Sequence, residues 1–352
     1  MQKRLVAISA LALGLAFLAM TWTGAMAEDF YKGKTIRVAV GFAAGGGYDT
    51  YARAITRHMG KHIPGNPSFV VENMDGAGSL IAANYTYSKA EPDGLFIGVW
   101  NGAFVLYQAL GDKAVRLDAK KLSWIGAPVK GSPHCSVMAF TGMTSLEDIL
   151  GSGKSLKMGA TRAGSTYNDL PKILNQTIGT KFEVITGYKG TAKITLAMRS
   201  RELDGGCWGW ESARVTARPM LDAKGDDRLI PILNHRKWED PEVRNVPLNR
   251  DVIRAKGGEE GLALYNSWVA QYEFQRPFVA PPGVPKDRLD TLRKAFKGTL
   301  EDPEFLAEAE KSKLDLHYVS AEEIHQHVKQ ILGISANAKE GLQFLVRKTK
   351  GK

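Results

Sequence analysis

The chain has 352 residues, 44% hydrophobic and 24% charged, with a formal net charge of +10; this is a globular composition and excludes disordered and collagen-like classes. Its length exceeds what one hydrophobic core usually serves, so two units of ordinary domain size are expected. The positive charge invites a nucleic-acid reading, but Lys and Arg are scattered, and steering of anionic solutes is the better use of it.

Lys3 and Arg4 precede an apolar run from Leu5 to Met20 and the small-x-small triplet Ala25-Met26-Ala27. This is the pattern of a cleavable export signal over residues 1–27. The apolar run is too short and its exit too polar for a spanning helix, and no later segment resembles one. No cysteine follows the cleavage site to carry a lipid, so the expected product is a freely diffusing periplasmic monomer. Two cysteines, Cys135 and Cys207, remain. An oxidising compartment permits a bond between them, yet a chain this long does not need one.

After the signal, Thr35 to Phe42 reads as a strand and Thr50 to His62 as a helix with one apolar side. The unit repeats as strand Ser68 to Glu72, helix Ser79 to Lys89, strand Leu95 to Trp100 and helix Ala103 to Leu110. Alternation of this kind predicts a parallel sheet. A second set occupies the middle third: strands at Leu156 to Ala160, Phe182 to Ile185, Gly206 to Trp208 and Leu229 to Leu233, with helices such as Ala192 to Glu202. Pro277 to Pro285 is rich in Pro and Gly. Beyond it the pattern is helical over Asp287 to Leu300, Pro303 to Lys311 and Ala321 to Phe344, with Leu/Ile/Phe inner faces. These helices are expected to pack back on the first unit. The expected fold is therefore α/β in two lobes, each a mostly parallel sheet flanked by helices. Lobe 1 comprises residues 28–128 plus 270–352 and lobe 2 residues 129–269, with two hinge crossings, near Pro128 and Val269.

The most informative segment is Gly41-Phe-Ala-Ala-Gly-Gly-Gly-Tyr-Asp-Thr50, between the first strand and the first helix. In a parallel sheet this loop sits at the carboxyl end of a strand, where ligands bind, and glycines let backbone N–H groups approach an anion. Asp49, where the helix begins, is suited to cap first-turn amides and stiffen the loop. A plain tight turn at Gly45 to Gly47 is the bland alternative. Gly159-Ala-Thr-Arg-Ala-Gly-Ser-Thr166 repeats the logic in the second unit, placing Ser165 and Thr166 hydroxyls at another helix start; ordinary capping is the alternative there. Two such loops make a plausible clamp for a carboxylate.

Lys34 to Asp49 with Ala52-Arg53, then Val71-Glu-Asn-Met-Asp-Gly-Ala-Gly-Ser79, Pro92-Asp-Gly94, and Gly187-Tyr-Lys-Gly190 with Leu203-Asp204 together resemble the Bug-type (TctC-like) receptors of tripartite tricarboxylate transporters. The resemblance spreads over nearly the whole mature chain. It implies a two-lobed periplasmic binding protein fold, no cofactor, no metal and no catalysis. It also implies a small organic carboxylate as ligand and the membrane components of a tripartite transporter as partners. It implies that Phe42 to Gly47 of the first loop and Gly164 to Thr166 of the second grasp the carboxylate; the candidate ligand residues are Phe42, Ala43, Ala44, Gly45, Gly46 and Asp49 in the first loop. Thr161, Gly164, Ser165 and Thr166 follow in the second, with Asn101, Tyr188 and Trp208 beside them. Three departures qualify this. Asp169-Leu170-Pro171 stands where many relatives have a His-Leu pair. Pro171 is tolerable only in a helix's first turn, which predicts a longer loop. Cys207-Trp-Gly-Trp-Glu211 stands where some relatives carry an Asp for an ammonium; there Trp208 or Trp210 lines the cleft and favours an apolar or aromatic ligand body, or both rings belong to the core.

Other motifs fail. Gly153-Lys154-Ser155 lacks the upstream glycine of a phosphate loop, with Asp148 in its place, and Gly76-Ala-Gly-Ser-Leu-Ile81 has Ile81 where a dinucleotide fingerprint needs glycine. His58 and His62 share a helix face at metal-ligand spacing but without the glutamate of a zinc protease; His325 and His327 fall on different faces. Ser165 lacks the Gly-x-Ser-x-Gly frame of a hydrolase nucleophile. A periplasmic hydrolase using Ser165, or His58 and His62, and an exported sensor receptor are the rival readings.

Overall fold

The structure, a computed structural model, describes residues 30–346; the expected export signal lies outside them. Eleven strands run in chain order among the described residues, as β1 (Thr35–Val40), β2 (Ser68–Asn73), β3 (Phe96–Val99), β4 (Ser123–Ala127), β5 (Pro133–Met138), β6 (Leu156–Gly159), β7 (Phe182–Ile185), β8 (Gly205–Gly209), β9 (Leu229–Leu233), β10 (Phe278–Ala280) and β11 (Val319–Ser320). They form two sheets, ordered β11-β4-β10-β3-β1-β2 and β7-β6-β8-β5-β9. Both are mixed rather than mostly parallel, with parallel and antiparallel pairings in each. In the first, β1 pairs in parallel with β2 and β3, while β10 and β11 run against their neighbours. In the second, only β5 is reversed. Two of the reversed strands mark the crossings: β5 is the first strand after the chain leaves the first sheet, and β10 is the first after it returns. The two passing segments touch, the Gln275 amide donating to Val129 O at 2.9 Å.

The helices are α1 (Gly47–Met59), α2 (Leu80–Ser88), α3 (Phe104–Ala109), α4 (Leu146–Ser152), α5 (Thr166–Ile178), α6 (Thr191–Arg199), α7 (Trp210–Thr216), α8 (Arg218–Leu221), α9 (Asn249–Val269), α10 (Lys286–Leu300), α11 (Pro303–Lys311), α12 (Ala321–Leu332) and α13 (Ala336–Val346). They cover the sheets through three apolar clusters. Tyr51, Ile55 and Met59 of α1 pack with Leu292, Phe296 and Phe305 on one side of the first sheet. Trp100, Phe104 and Ile324 lie in a cluster that continues into Leu170, Ile173 and Leu174 of α5. Ile194, Met198, Trp208 and Ala213 fill the far side of the second sheet.

Several expectations require correction. The first helix begins at Gly47 rather than Thr50, so the third glycine is helical. Pro171 lies in the middle of α5, which starts at Thr166, so the loop is not lengthened; the cost is the amide that Tyr167 O would otherwise accept. The helix expected over Ala321 to Phe344 breaks after Leu332. Gly333 is a weak helix former, and Ser335 Oγ accepts the Ala338 amide at 3.2 Å to restart the next helix. That last helix, α13, packs on α9 as well as reaching the first sheet's helices, where Gln343 Nε2 donates to Leu110 O. Strands β4, β5, β10 and β11 were not anticipated; β10 sits inside the Pro- and Gly-rich stretch. Cys135 and Cys207, directly opposed on β5 and β8, are joined in a disulfide.

Candidate functional site

Each sheet contributes one strand–glycine turn–helix unit to the same place. In the first, Gly45 turns the chain at φ +77°, Gly46 precedes the helix, and Gly47 opens α1. In the second, Gly164 turns at φ +91°, Ser165 precedes the helix, and Thr166 opens α5. Both turns need backbone that glycine adopts without strain.

The two turns are braced by the same device, a carboxylate from the following helix accepting the amide of the turning glycine. Asp49 Oδ2 accepts from Gly45 N at 2.9 Å, and Asp169 Oδ1 accepts from Gly164 N at 3.2 Å. Asp49 therefore holds the loop amide rather than capping α1, and its other oxygen takes Arg53 Nε and Asn73 Nδ2, each at 2.9 Å. Burial by itself would raise its pKa, but the bonds from Arg53, Gly45 and Asn73 outweigh this and hold it below the usual range. Asp169 is fully buried with Tyr107, Asn168 and Trp268 as further donors and no cation among them. Burial pushes its carboxyl pKa up.

Between the turns is a small cavity of about 30 Å³ lined by Phe42, Gly46, Gly47, Tyr48 and Asn101 on one side. Ser165, Thr166, Tyr167, Thr191, Trp208, Gly209, Glu211 and Ser212 line the other, with Gln275 from the returning segment. The opening amides of a helix have no acceptor within it, so the starts of α1 and α5 present donors and two positive dipole ends to one small volume. A neighbouring cavity of about 190 Å³ shares Phe42 as a wall and lies between Gly76–Gly78 and Thr161 with Gly187–Lys189. Thr161 Oγ1 is buried there without a partner.

The sheets' loops also bond directly. Ala43 N donates to Lys189 O at 3.2 Å, and Asn101 Nδ2 donates to Gly164 O at 2.9 Å. Gly47 sits so close to α7 that a Cβ there would lie 2.2 Å from Ser212 Oγ. Beneath the cavity Arg276, fully buried, pairs with Glu211 Oε1 at 3.2 Å and donates to Ser212 Oγ at 2.6 Å. Its guanidinium lies 4.3 Å from the Tyr51 ring centre and 5.2 Å from that of Tyr48. The Glu211 charge is thereby balanced within the protein. Burial raises the pKa of Tyr48 and Tyr167, keeping both hydroxyls protonated.

Of the residues singled out from sequence, the structure brings Phe42, Gly46, Asn101, Ser165, Thr166 and Trp208 to the smaller cavity. Thr161 and Tyr188 join Phe42 at the larger one. Ala43, Ala44, Gly45, Asp49 and Gly164 line neither; they shape the turns. Ser165 Oγ donates to Arg162 O at 2.7 Å, tying its own loop rather than facing a base. Trp210 is in the core, its Nε1 donating to Asp240. Gly47, the end of the expected glycine loop, lines the smaller cavity as well; sequence reasoning missed Tyr48, Tyr167, Thr191, Glu211, Ser212 and Gln275. Most adjoin a recognised motif, and Glu211-Ser212 follow the carboxyl end of β8, a place where ligands bind; Gln275 carried no signal.

The other histidine reading resolves differently. His58 Nε2 meets Glu308 at 2.8 Å and His62 Nε2 meets Asp302 at 2.9 Å. Ligand atoms of His58, Asp302 and Glu304 lie within 4.8 Å of one another, but Lys61 Nζ bonds both acids and already supplies the positive charge.

No family model matches the chain. It is 25% identical over 288 residues to a UPF0065 protein of Agrobacterium vitis from the TAR-I ttuE-ttuC′ intergenic region, spanning 79% of this chain and 75% of that one. Among solved structures it matches the periplasmic binding protein BugD with TM-score 0.67 at 19% identity, over 90% of this chain and 98% of that one. MatC of Rhodopseudomonas palustris, solved with bound malate, matches with TM-score 0.66 at 20% identity, over 89% and 99%. An R. palustris protein solved with adipate matches with TM-score 0.69 at 17% identity, over 88% and 97%. With two helix-flanked sheets joined by a chain that leaves and returns, the protein has the two-lobed fold of the Bug-type periplasmic binding proteins.

Proposed function

We propose that this chain is a periplasmic solute-binding protein that captures a small organic carboxylate and presents it to the membrane components of a tripartite-type transporter, without transforming it. The observation that carries this reading is the convergence of the α1 and α5 starts, one from each sheet, on a single cavity. Helix amides and dipoles bind an anion without a basic side chain, and the acidic side chain lining the cavity, Glu211, is neutralised by Arg276. The malate and adipate held by two structures of the same fold are of the chemical class such a site suits.

In this reading residues 28–128 with 270–352 form one lobe and 129–269 the other, and the segments around Pro128 and Val269 are hinges. A cavity of about 30 Å³ admits little more than water, so an acid enters only when the lobes part. Differential contacts in the closed state then favour closure. The leader over residues 1–27 delivers the protein to the periplasm, and no helix among the described residues is long and apolar enough to cross a membrane.

The test is a thermal-shift and calorimetric screen of the mature protein against mono-, di- and tricarboxylates and aromatic acids. A ligand at a hundred times its dissociation constant stabilises the fold by about 2.7 kcal/mol. If no acid raises the melting temperature, the cavity is not a carboxylate site and the proposal fails.

A further inference from the structure

We infer that Trp208 is a specificity-determining residue whose indole N–H donates a hydrogen bond to the bound acid. The inference rests on the binding-protein reading and deepens it, because it fixes which kind of atom the ligand must place at one wall. Trp208 lines the cavity between the two helix starts. Its side chain is 1% exposed, and Nε1 has no hydrogen-bond partner.

The ring is held on its other sides. Its benzo edge lies over Gly206, with Cζ3 and Cε3 at 3.0 and 3.3 Å from where a Cβ would stand. One face stacks on Tyr167 at 5.9 Å and 14°, and the His134 ring stands edge-on at 4.7 Å. The Trp208 carbonyl accepts from His134 Nδ1 at 2.9 Å. With the benzo edge packed on the Gly206 backbone, the pyrrole edge bearing Nε1 lies on the opposite side of the ring.

The other tryptophans among the described residues show that this is unusual here. Trp124, Trp210, Trp238 and Trp268 each donate to a protein oxygen. Trp100 Nε1 also lacks a partner, but it lies over Gly98 inside the first sheet's core and lines neither cavity. An indole N–H is a donor only, and leaving it buried and unpaired costs free energy that a ligand oxygen recovers. The class selected is an acid whose carboxylate, or an acceptor oxygen beside it, reaches the Trp208 edge. An amine at that place meets a donor rather than an acceptor and is rejected.

The experiment uses full mature protein labelled with ¹⁵N at the indole nitrogens, titrated separately with malate, adipate and benzoate. Trp208→Phe, which keeps the stacking on Tyr167, identifies the Trp208 signal and supplies a calorimetric comparison. The expected result is a downfield move of the Trp208 indole proton on saturation with the tightest of the three acids. The variant should bind that acid roughly tenfold more weakly while melting near the wild-type temperature. If the variant does not fold, Trp208→Tyr identifies the signal and the wild-type titration decides. An acid that shifts other resonances but leaves the Trp208 indole signal unmoved overturns this inference alone; if none of these three acids, and no acid of the wider screen, perturbs any resonance or the melt, the carboxylate-binding reading falls and takes the inference with it.

Discussion

The carboxylate of Glu211 and the guanidinium of Arg276 meet at 3.2 Å with side chains only 4% and 1% exposed, joining the start of α7 to the segment by which the chain returns to the first sheet. Removing one partner of such a pair strands a buried charge. Arg276→Met is therefore expected to destabilise the fold by about 3–5 kcal/mol in urea unfolding. Adding Glu211→Gln should recover a large part of that loss. A double variant no more stable than the single would show that the pair does not act as a unit.

The two glycines at the start of α1 predict opposite outcomes. A Cβ at Gly46 meets only Ala43 O, at 3.4 Å, whereas one at Gly47 would lie 2.2 Å from Ser212 Oγ. Gly46→Ala should bind the ligand within a few-fold of wild type. Gly47→Ala wedges α1 away from α7, and overpacking of about 1–3 kcal/mol, if spent on the closed bound form, corresponds to a loss of roughly five- to 150-fold in affinity. Calorimetry on both variants with the same acid is the check; equal affinities would mean that the described approach of α1 to α7 is not the bound arrangement.

Acid sensitivity follows from Asp49. Its folded pKa lies below the ordinary 3.8 because Arg53, Gly45 and Asn73 donate to it despite burial. A depressed carboxyl contributes stability that is complete above the unfolded pKa and is lost as pH falls through the folded one. Asp49→Asn should thus be less stable than wild type near neutrality by about 1.5–3 kcal/mol. The gap should close as pH is taken below 3.8. Melting curves across that range would refute the assignment if the gap stayed constant.

The Cys135–Cys207 bond closes a sequence separation of 72 residues within the second sheet. Replacing both cysteines by alanine is expected to cost about 2–4 kcal/mol of stability. Because neither cysteine lines the cavity, ligand affinity of the folded variant should be retained. A variant that melts like wild type would show that the bond is dispensable.

The alternation of strand and helix, the glycine turns and the loops bearing Ser165 and Thr166 were all legible in the sequence, because local spacing and backbone freedom set them. Short, fully buried strands were not. All five residues of β4 and all six of β5 are buried, so neither shows the alternation that marks a half-exposed strand. The helical start at Gly47 and the mid-helix Pro171 escaped for a related reason: local propensity disfavours both, and packing overrode it.

The sequence by itself determined that two strand–turn–helix units exist, each able to offer helix-start amides to an anion. Only the tertiary structure decided that the two starts face one cavity, that Asp49 and Asp169 are spent on their own loops, and that Trp208 rather than Trp210 lines the space. The reason is physical. A turn's conformation depends on the few residues that form it, whereas which side chains share a cavity depends on segments as far apart as Gly47, Ser212 and Arg276, and no local pattern encodes that meeting.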